Sequence, residues 1–243
     1  MNHTTSNHYA SSRLLLREGA AEDIDRLDYE TYIRFSDTAA ERAGMEIDVL
    51  PGDVRLYKRG AGRPSVFIIG GQHGDERAGP ISILQALTED DFPPEASIRI
   101  CPITHPLAWD ESERMPGSLD MNRVWSLDDA PPHILYMMLS MESDRPYVFL
   151  DLHESHVSPE DGGERYDLRH TGTPWGQSMM RILGQDVAQT KINKRIPGSS
   201  REYAYKIGVE GVAVVETYEF LPIESRVQFH REVMRRALDP LLF

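Results

Sequence analysis

Apolar residues recur along this chain with two different periods, and the switches between them mark out the elements. Met45–Leu50 and Val54–Arg59 alternate roughly every second residue around Pro51-Gly52-Asp53, which predicts a hairpin. Ser65–Gly70 is a short apolar run and predicts a buried strand. Glu76–Thr88 changes to helical spacing, with Ile81, Leu84 and Leu87 on one face, and Asp90-Asp91-Phe92-Pro93-Pro94 ends it. Ser97–Ile103 is the next strand, Pro131–Glu142 a helix with proline in its first turn, and Tyr147–Leu152 another strand. A polar stretch over residues 154–174 predicts a long loop. Trp175–Thr190 and Ser199–Ile207 read as helices, Gly211–Glu216 as an apolar strand, and Ile223–Leu238 as the closing helix. Ahead of the hairpin, Ile24, Leu27, Tyr32, Ile33 and Phe35 lie among charges, which predicts a surface helix over Ala20 to Ala43 after a loose lead-in at residues 1–17. No repeat and no linker divides the chain.

Strands alternating with helices predict a doubly wound α/β sheet. Ligands of such sheets gather at the carboxyl ends of the strands. His73, His153 and Glu216 all fall at or near those ends, so the chemistry is sought there. Gly70-Gly71-Gln72-His73-Gly74-Asp75-Glu76 follows the first buried strand, and the paired glycines permit a tight turn that aims His73 and Glu76 at one centre. No second histidine follows at helical spacing, so a third ligand has to come from elsewhere, and His153, closing Tyr147–His153, is the best placed. Two imidazoles and a carboxylate suit one Zn²⁺ and leave its fourth position open.

Three further groups carry chemistry. In Asp120-Met121-Asn122-Arg123 an arginine fork and an amide suit a planar carboxylate. Arg114 is a second fixed cation, suited to charge developing on a carbonyl oxygen, and Asp120 suits a hydrogen bond that fixes the tautomer of a ligand imidazole. Glu216 ends an apolar strand, where desolvation raises a carboxyl pKa and suits a general base.

The order His-x-x-Glu, Arg, Asp-x-Asn-Arg, strand-His, strand-Glu resembles the zinc carboxypeptidase (funnelin) family. It is similar more loosely to the succinylglutamate desuccinylase and aspartoacylase branch of the same superfamily. The resemblance spans about residues 45–240 and is strongest at Gly70–Gly79, Arg114–Trp125, Asp151–His153 and Gly198–Glu216. It implies a mixed, mainly parallel sheet with helices on both faces, in a single catalytic domain over residues 45–243 preceded by residues 1–44. It implies that His73, Glu76 and His153 bind zinc, that Glu216 activates water, that Arg114 polarises the scissile carbonyl, and that Asn122 and Arg123 hold a terminal carboxylate. Arg201 stands near the family's side-chain-selecting position and implies an acidic preference. The implied substrate is a small peptide, with murein-type peptides included, or an N-acyl amino acid. Two departures stand out. His105-Pro106 replaces the family's Asn-Pro turn, and the family's mobile tyrosine falls near Lys194, which leaves Tyr203 or Tyr205 as substitutes.

Composition narrows the partners. A net charge of −13 over 243 residues argues against nucleic acid or an anionic membrane. The lone cysteine, Cys101, excludes an intramolecular disulfide and fits a reducing compartment. The polar N-terminus lacks the apolar core of a signal peptide, and no run approaches the ~18 apolar residues of a membrane helix. The expectation is a cytoplasmic enzyme.

Overall fold

The computed structural model describes residues 20–156, 166–170, 173–183, 187–191 and 196–239. The chain runs α1 (Ala20–Asp25), α2 (Tyr29–Arg42), β1 (Glu46–Leu50), β2 (Val54–Arg59), β3 (Ser65–Ile69), α3 (Ala78–Glu89), β4 (Ser97–Cys101), α4 (Pro106–Glu111), α5 (Pro132–Asp144), β5 (Val148–Ser155), β6 (Tyr166–His170), α6 (Pro174–Leu183), β7 (Val187–Lys191), α7 (Ser200–Lys206), β8 (Gly211–Tyr218) and α8 (Ile223–Ala237). The strands form one sheet in the order β1-β2-β4-β3-β5-β8-β6-β7. β3 pairs in parallel with β4 and β5, β5 with β8, and β6 with β7; β1-β2, β2-β4 and β6-β8 are antiparallel.

Strand alternation splits the core between the two faces of this sheet. Val66, Ile68, Leu150, Leu152, Ala213 and Val215 pack under α2, α3, α6 and α8. Phe67, Ile69, Phe149 and Val212 face the other way, against α5, α7, Met121 and Trp125. Helices therefore cover both faces, and the doubly wound, mainly parallel α/β sheet expected from the sequence is the fold observed. No described helix is long and apolar enough to cross a membrane.

The structure corrects three expected elements. The segment from Ala20 to Ala43 is two helices, because Asp28 caps a fresh start: its Oδ1 accepts from the Thr31 N–H at 2.7 Å. The apolar face of this segment, with Ile24, Tyr32 and Ile33, is buried in the core, while Arg26, Glu30, Arg34, Glu41 and Arg42 stay exposed. The predicted 154–174 loop contains β6, and the predicted Trp175–Thr190 helix stops at Leu183 and gives way to β7. β5 and β8 also run on to Ser155 and Tyr218, so His153 and Glu216 lie two residues inside their strands, directly opposite each other in register. The expected lead-in at residues 1–17 lies outside the described residues.

On the face away from His153, β5 carries a second carboxylate. Glu154 is buried; it accepts from the Ala78 N–H at the start of α3 at 2.9 Å and from Arg226 on α8. Burial nevertheless outweighs these partners and pushes its pKa up to about 7. A carboxyl raised above its ordinary value contributes most to stability below about pH 4.5, and that contribution is lost as pH climbs toward 7. Arg226→Met is expected to cost about 3–5 kcal/mol at pH 8, because it leaves a buried charge uncompensated. The loss is expected to shrink at pH 5, where Glu154 takes up a proton. Urea unfolding at the two pH values measures the difference, and equal losses would remove the ion pair as the cause.

Candidate metal centre

The loop after β3 is built by close backbone approach. Gly71 has φ 57°, and a Cβ on Gly74 would stand 1.7 Å from the Ala108 carbonyl oxygen, so side chains are excluded where the loop crosses α4. This crossing presents His73 and Glu76 to His153 of β5. All three are nearly inaccessible, and one ligand atom from each lies within 4.8 Å of the others. His73 Nδ1 lies 2.7 Å from Glu76 Oε1, and His153 Nδ1 lies 2.6 Å from Glu76 Oε2. The Glu154 backbone N–H donates to Oε2 at 3.1 Å, and Arg114 Nη1 reaches Oε1. The three residues singled out from the sequence therefore meet, with both Nδ1 atoms turned to one point.

Their outer nitrogens are held as well. His73 Nε2 is 3.2 Å from Asp120 Oδ1, the partner expected for a ligand imidazole. His153 Nε2 is 3.0 Å from Asp151 Oδ1. Asp151 is fully buried and is fixed in turn by Gln72 Nε2, 2.8 Å from each carboxylate oxygen, and by the Ser200 hydroxyl at the start of α7. Sequence reading passed over Asp151 and Gln72. The signal was present: in Val148-Phe149-Leu150-Asp151-Leu152-His153 a lone acid interrupts an apolar run two residues before the histidine, on the same strand face.

Charge is shared tightly here. Burial opposes the charged form of His153, but Asp151 and Glu76 overcome it and hold the imidazole well above its ordinary pKa. His73 is likewise raised against burial by Asp120 and Glu76. Burial would lift Glu76, yet His153 and His73 carry it well below the usual carboxylate range. Two imidazoles and a buried carboxylate converging from two elements, the loop after β3 and the strand β5, are the donor set of an open zinc site, so the residues present fit that ion.

A cavity of about 350 Å³ opens above this centre, and its lining includes His73, Glu76, His153, Glu216, Arg114, Asn122, Arg123, Arg169 and Arg201. Every site residue expected from the sequence is thus brought to one cavity. Asn122 Oδ1 also accepts from the Ser200 N–H at 3.3 Å, and its Nδ2 lies 3.3 Å from His153 Nε2. Arg123 donates from Nη1 to the Asn122 carbonyl at 2.6 Å, its Nε lies 3.9 Å from Asp120 Oδ2, and it lines the cavity. Arg201 has its pKa lowered by burial and by the like charge of Arg169. Glu216 is paired as well as placed in the cavity: its Oε1 lies 2.7 Å from Arg169 Nη1.

The departures from the family pattern also resolve physically. His105 Nδ1 accepts from the Ala108 N–H at 3.3 Å and caps α4, the task that an asparagine side chain does well. Tyr203 donates to the Met138 carbonyl at 3.1 Å and Glu142 at 2.9 Å, so it packs against α5 rather than replacing a mobile tyrosine. Lys194 lies outside the described residues. At the cavity mouth His156 joins Glu219, 2.5 Å from Nδ1, to Asp75, 2.9 Å from Nε2. Its two nitrogens diverge toward different carboxylates, which makes it a bridge between loops rather than a chelate.

Residues 62–158 match the family model of the succinylglutamate desuccinylase/aspartoacylase catalytic domain. No curated protein matches the sequence. Among solved structures, a Shewanella denitrificans protein described as a candidate metallopeptidase is similar in fold, with TM-score 0.71 and 18% identity over 86% of this chain and 89% of its own. A metallo-carboxypeptidase from Burkholderia cenocepacia has TM-score 0.66 and 12% identity, over 87% of this chain and 68% of its own. One from Pseudomonas aeruginosa, solved with (2-guanidinoethylmercapto)succinic acid, has TM-score 0.66 and 15% identity, over 86% and 68%. Residues 62–158 thus resemble that catalytic domain, and these solved structures share the fold of this chain.

Proposed function

We propose that the protein is a zinc-dependent hydrolase that cleaves an amide bond next to a carboxylate. The observation carrying this reading is the convergence of His73 Nδ1 and His153 Nδ1 on the two oxygens of Glu76, at the floor of a cavity that also holds Glu216 and four arginines. When bound, zinc supplies Lewis-acid polarisation and a water whose pKa is brought near 7. The chain's own groups do the rest. Glu216 takes the proton of the attacking water and returns it to the leaving amine. Arg114 donates to the carbonyl oxygen as charge develops there. Arg123, backed by Asn122, grips the substrate carboxylate, and Arg201 reads a second acidic group.

Two substrate classes fit. One is a peptide with a free, preferably acidic, C-terminus, cleaved in the manner of a carboxypeptidase. The other is an N-acyl acidic amino acid, favoured by the family model that residues 62–158 match. Both are small and anionic, which suits a 350 Å³ cavity lined by arginines on a protein of net charge −13.

Metal content of the purified protein and chelator-sensitive turnover of C-terminally acidic peptides, N-acylaspartate and N-succinylglutamate test the proposal. Arg123→Ala is expected to weaken substrate by about 2 kcal/mol, roughly thirtyfold in KM, since this half-exposed arginine is desolvated only on binding. Equal cleavage of substrates whose carboxylate is amidated would remove the docking role.

A further inference from the structure

Glu216 and Arg169 come together through a strand that the sequence did not announce. β6 pairs antiparallel with β8, placing Arg169 opposite Val214 and Asp167 opposite Glu216. Arg169 and Glu216 are therefore a diagonal pair on one sheet face, a separation that a long side chain spans. Val214 and Glu216 point to the face of His153, because β5 and β8 pair residue for residue at that position. The guanidinium reaches back along that face, and its Nη1 lies 2.7 Å from Glu216 Oε1. Arg169 lines the same cavity as the metal centre. It is about one third exposed, while Glu216 is only 13% exposed.

We propose that Arg169 is the positioning residue of the general base: its contact with Oε1 fixes the orientation in which the Glu216 carboxylate meets the water to be activated. The inference rests on the reading of Glu216 as that base. A carboxylate at the end of two rotatable bonds has to be aimed, and an ångström of misplacement is enough to cost about 100-fold in rate. A charge-assisted contact from a neighbouring strand supplies the aim without blocking the metal side of the cavity. It also explains a charged pair inside an anion-binding cavity that already holds Arg123 and Arg201 for the substrate.

Arg169→Ala and Arg169→Lys, each zinc-loaded, test the assignment by kinetics and by crystal structure. For Arg169→Ala, kcat is expected to fall about 10- to 100-fold with KM within about twofold of the parent, with zinc stoichiometry unchanged and with the Glu216 carboxylate displaced. Arg169→Lys, which keeps a cation within reach of Oε1, is expected to recover most of kcat and to restore the Glu216 position. A raised KM with kcat intact would make Arg169 a substrate anchor and overturn the proposal. An unmoved Glu216 in Arg169→Ala would overturn it as well. If the parent protein hydrolyses none of the substrates, the Glu216 position in the two variants still decides the positioning role, and the hydrolase reading alone falls.

Discussion

Glu216→Gln is expected to keep its metal and lose its reaction. The substitution preserves shape, and the glutamine carbonyl oxygen still accepts from Arg169, so β8 and its contacts with β5 and β6 stay in place. His73, Glu76 and His153 are untouched, and zinc content should match the parent. What disappears is the carboxylate that receives a proton, a contribution of about 10²- to 10⁴-fold for a positioned general base. The loss should fall on kcat, because Arg123 and Arg201 still bind the substrate carboxylates. Metal analysis beside steady-state kinetics on one preparation separates the two quantities. A zinc-loaded variant turning over at the parental rate would take the base role away from Glu216 and leave the arginine cavity as a binding site.

How far this centre was legible in the sequence depends on where each residue gets its structure. His73, Glu76 and His153 follow or end long apolar runs, and those runs are central strands whose sequence already demands burial. Their meeting could be read from strand-end logic alone. β6 could not, because Tyr166-Asp-Leu-Arg-His170 has only one aliphatic residue, Leu168, to bury, and its strand character comes from pairing with β8. Missing β6 hid Arg169, and with it the reason that Glu216 is paired. β7 was hidden differently: Gly184 follows Leu183 and marks the change, but Trp175–Thr190 reads through it as one helix, because Val187-Ala-Gln-Thr-Lys191 has no alternation strong enough to show a strand by itself. The break at Asp28 was announced, by an acid three residues before Thr31, but an apolar pattern running across it concealed the cap. Local chemistry was therefore readable where it coincided with central strands, and not where a neighbour at the edge of the sheet imposes the structure.

The electrostatics of the centre lead to a second large effect, in metal binding itself. Without metal, both Nδ1 atoms lie within hydrogen-bond distance of Glu76, and both imidazoles are held above their ordinary pKa, His73 by Asp120 and Glu76, His153 by Asp151 and Glu76. Protons then occupy the positions that zinc requires, because only neutral imidazole is a ligand. While pH stays below the raised values, each metal bound should expel about two protons, and apparent affinity should rise roughly 100-fold per pH unit. The sign follows from the direction of the shifts: raising pH removes the competing protons, so affinity climbs and then levels off once both rings are neutral. Titration calorimetry at pH 6 in two buffers of different protonation enthalpy counts the protons directly. His153→Ala should release about one proton and bind zinc far more weakly, since one of three ligands is gone and Asp151 and Glu76 lose the cation between them. Zinc binding at pH 6 without proton release would mean that the two rings are already neutral, and that their carboxylate partners orient the lone pairs rather than guard them with protons.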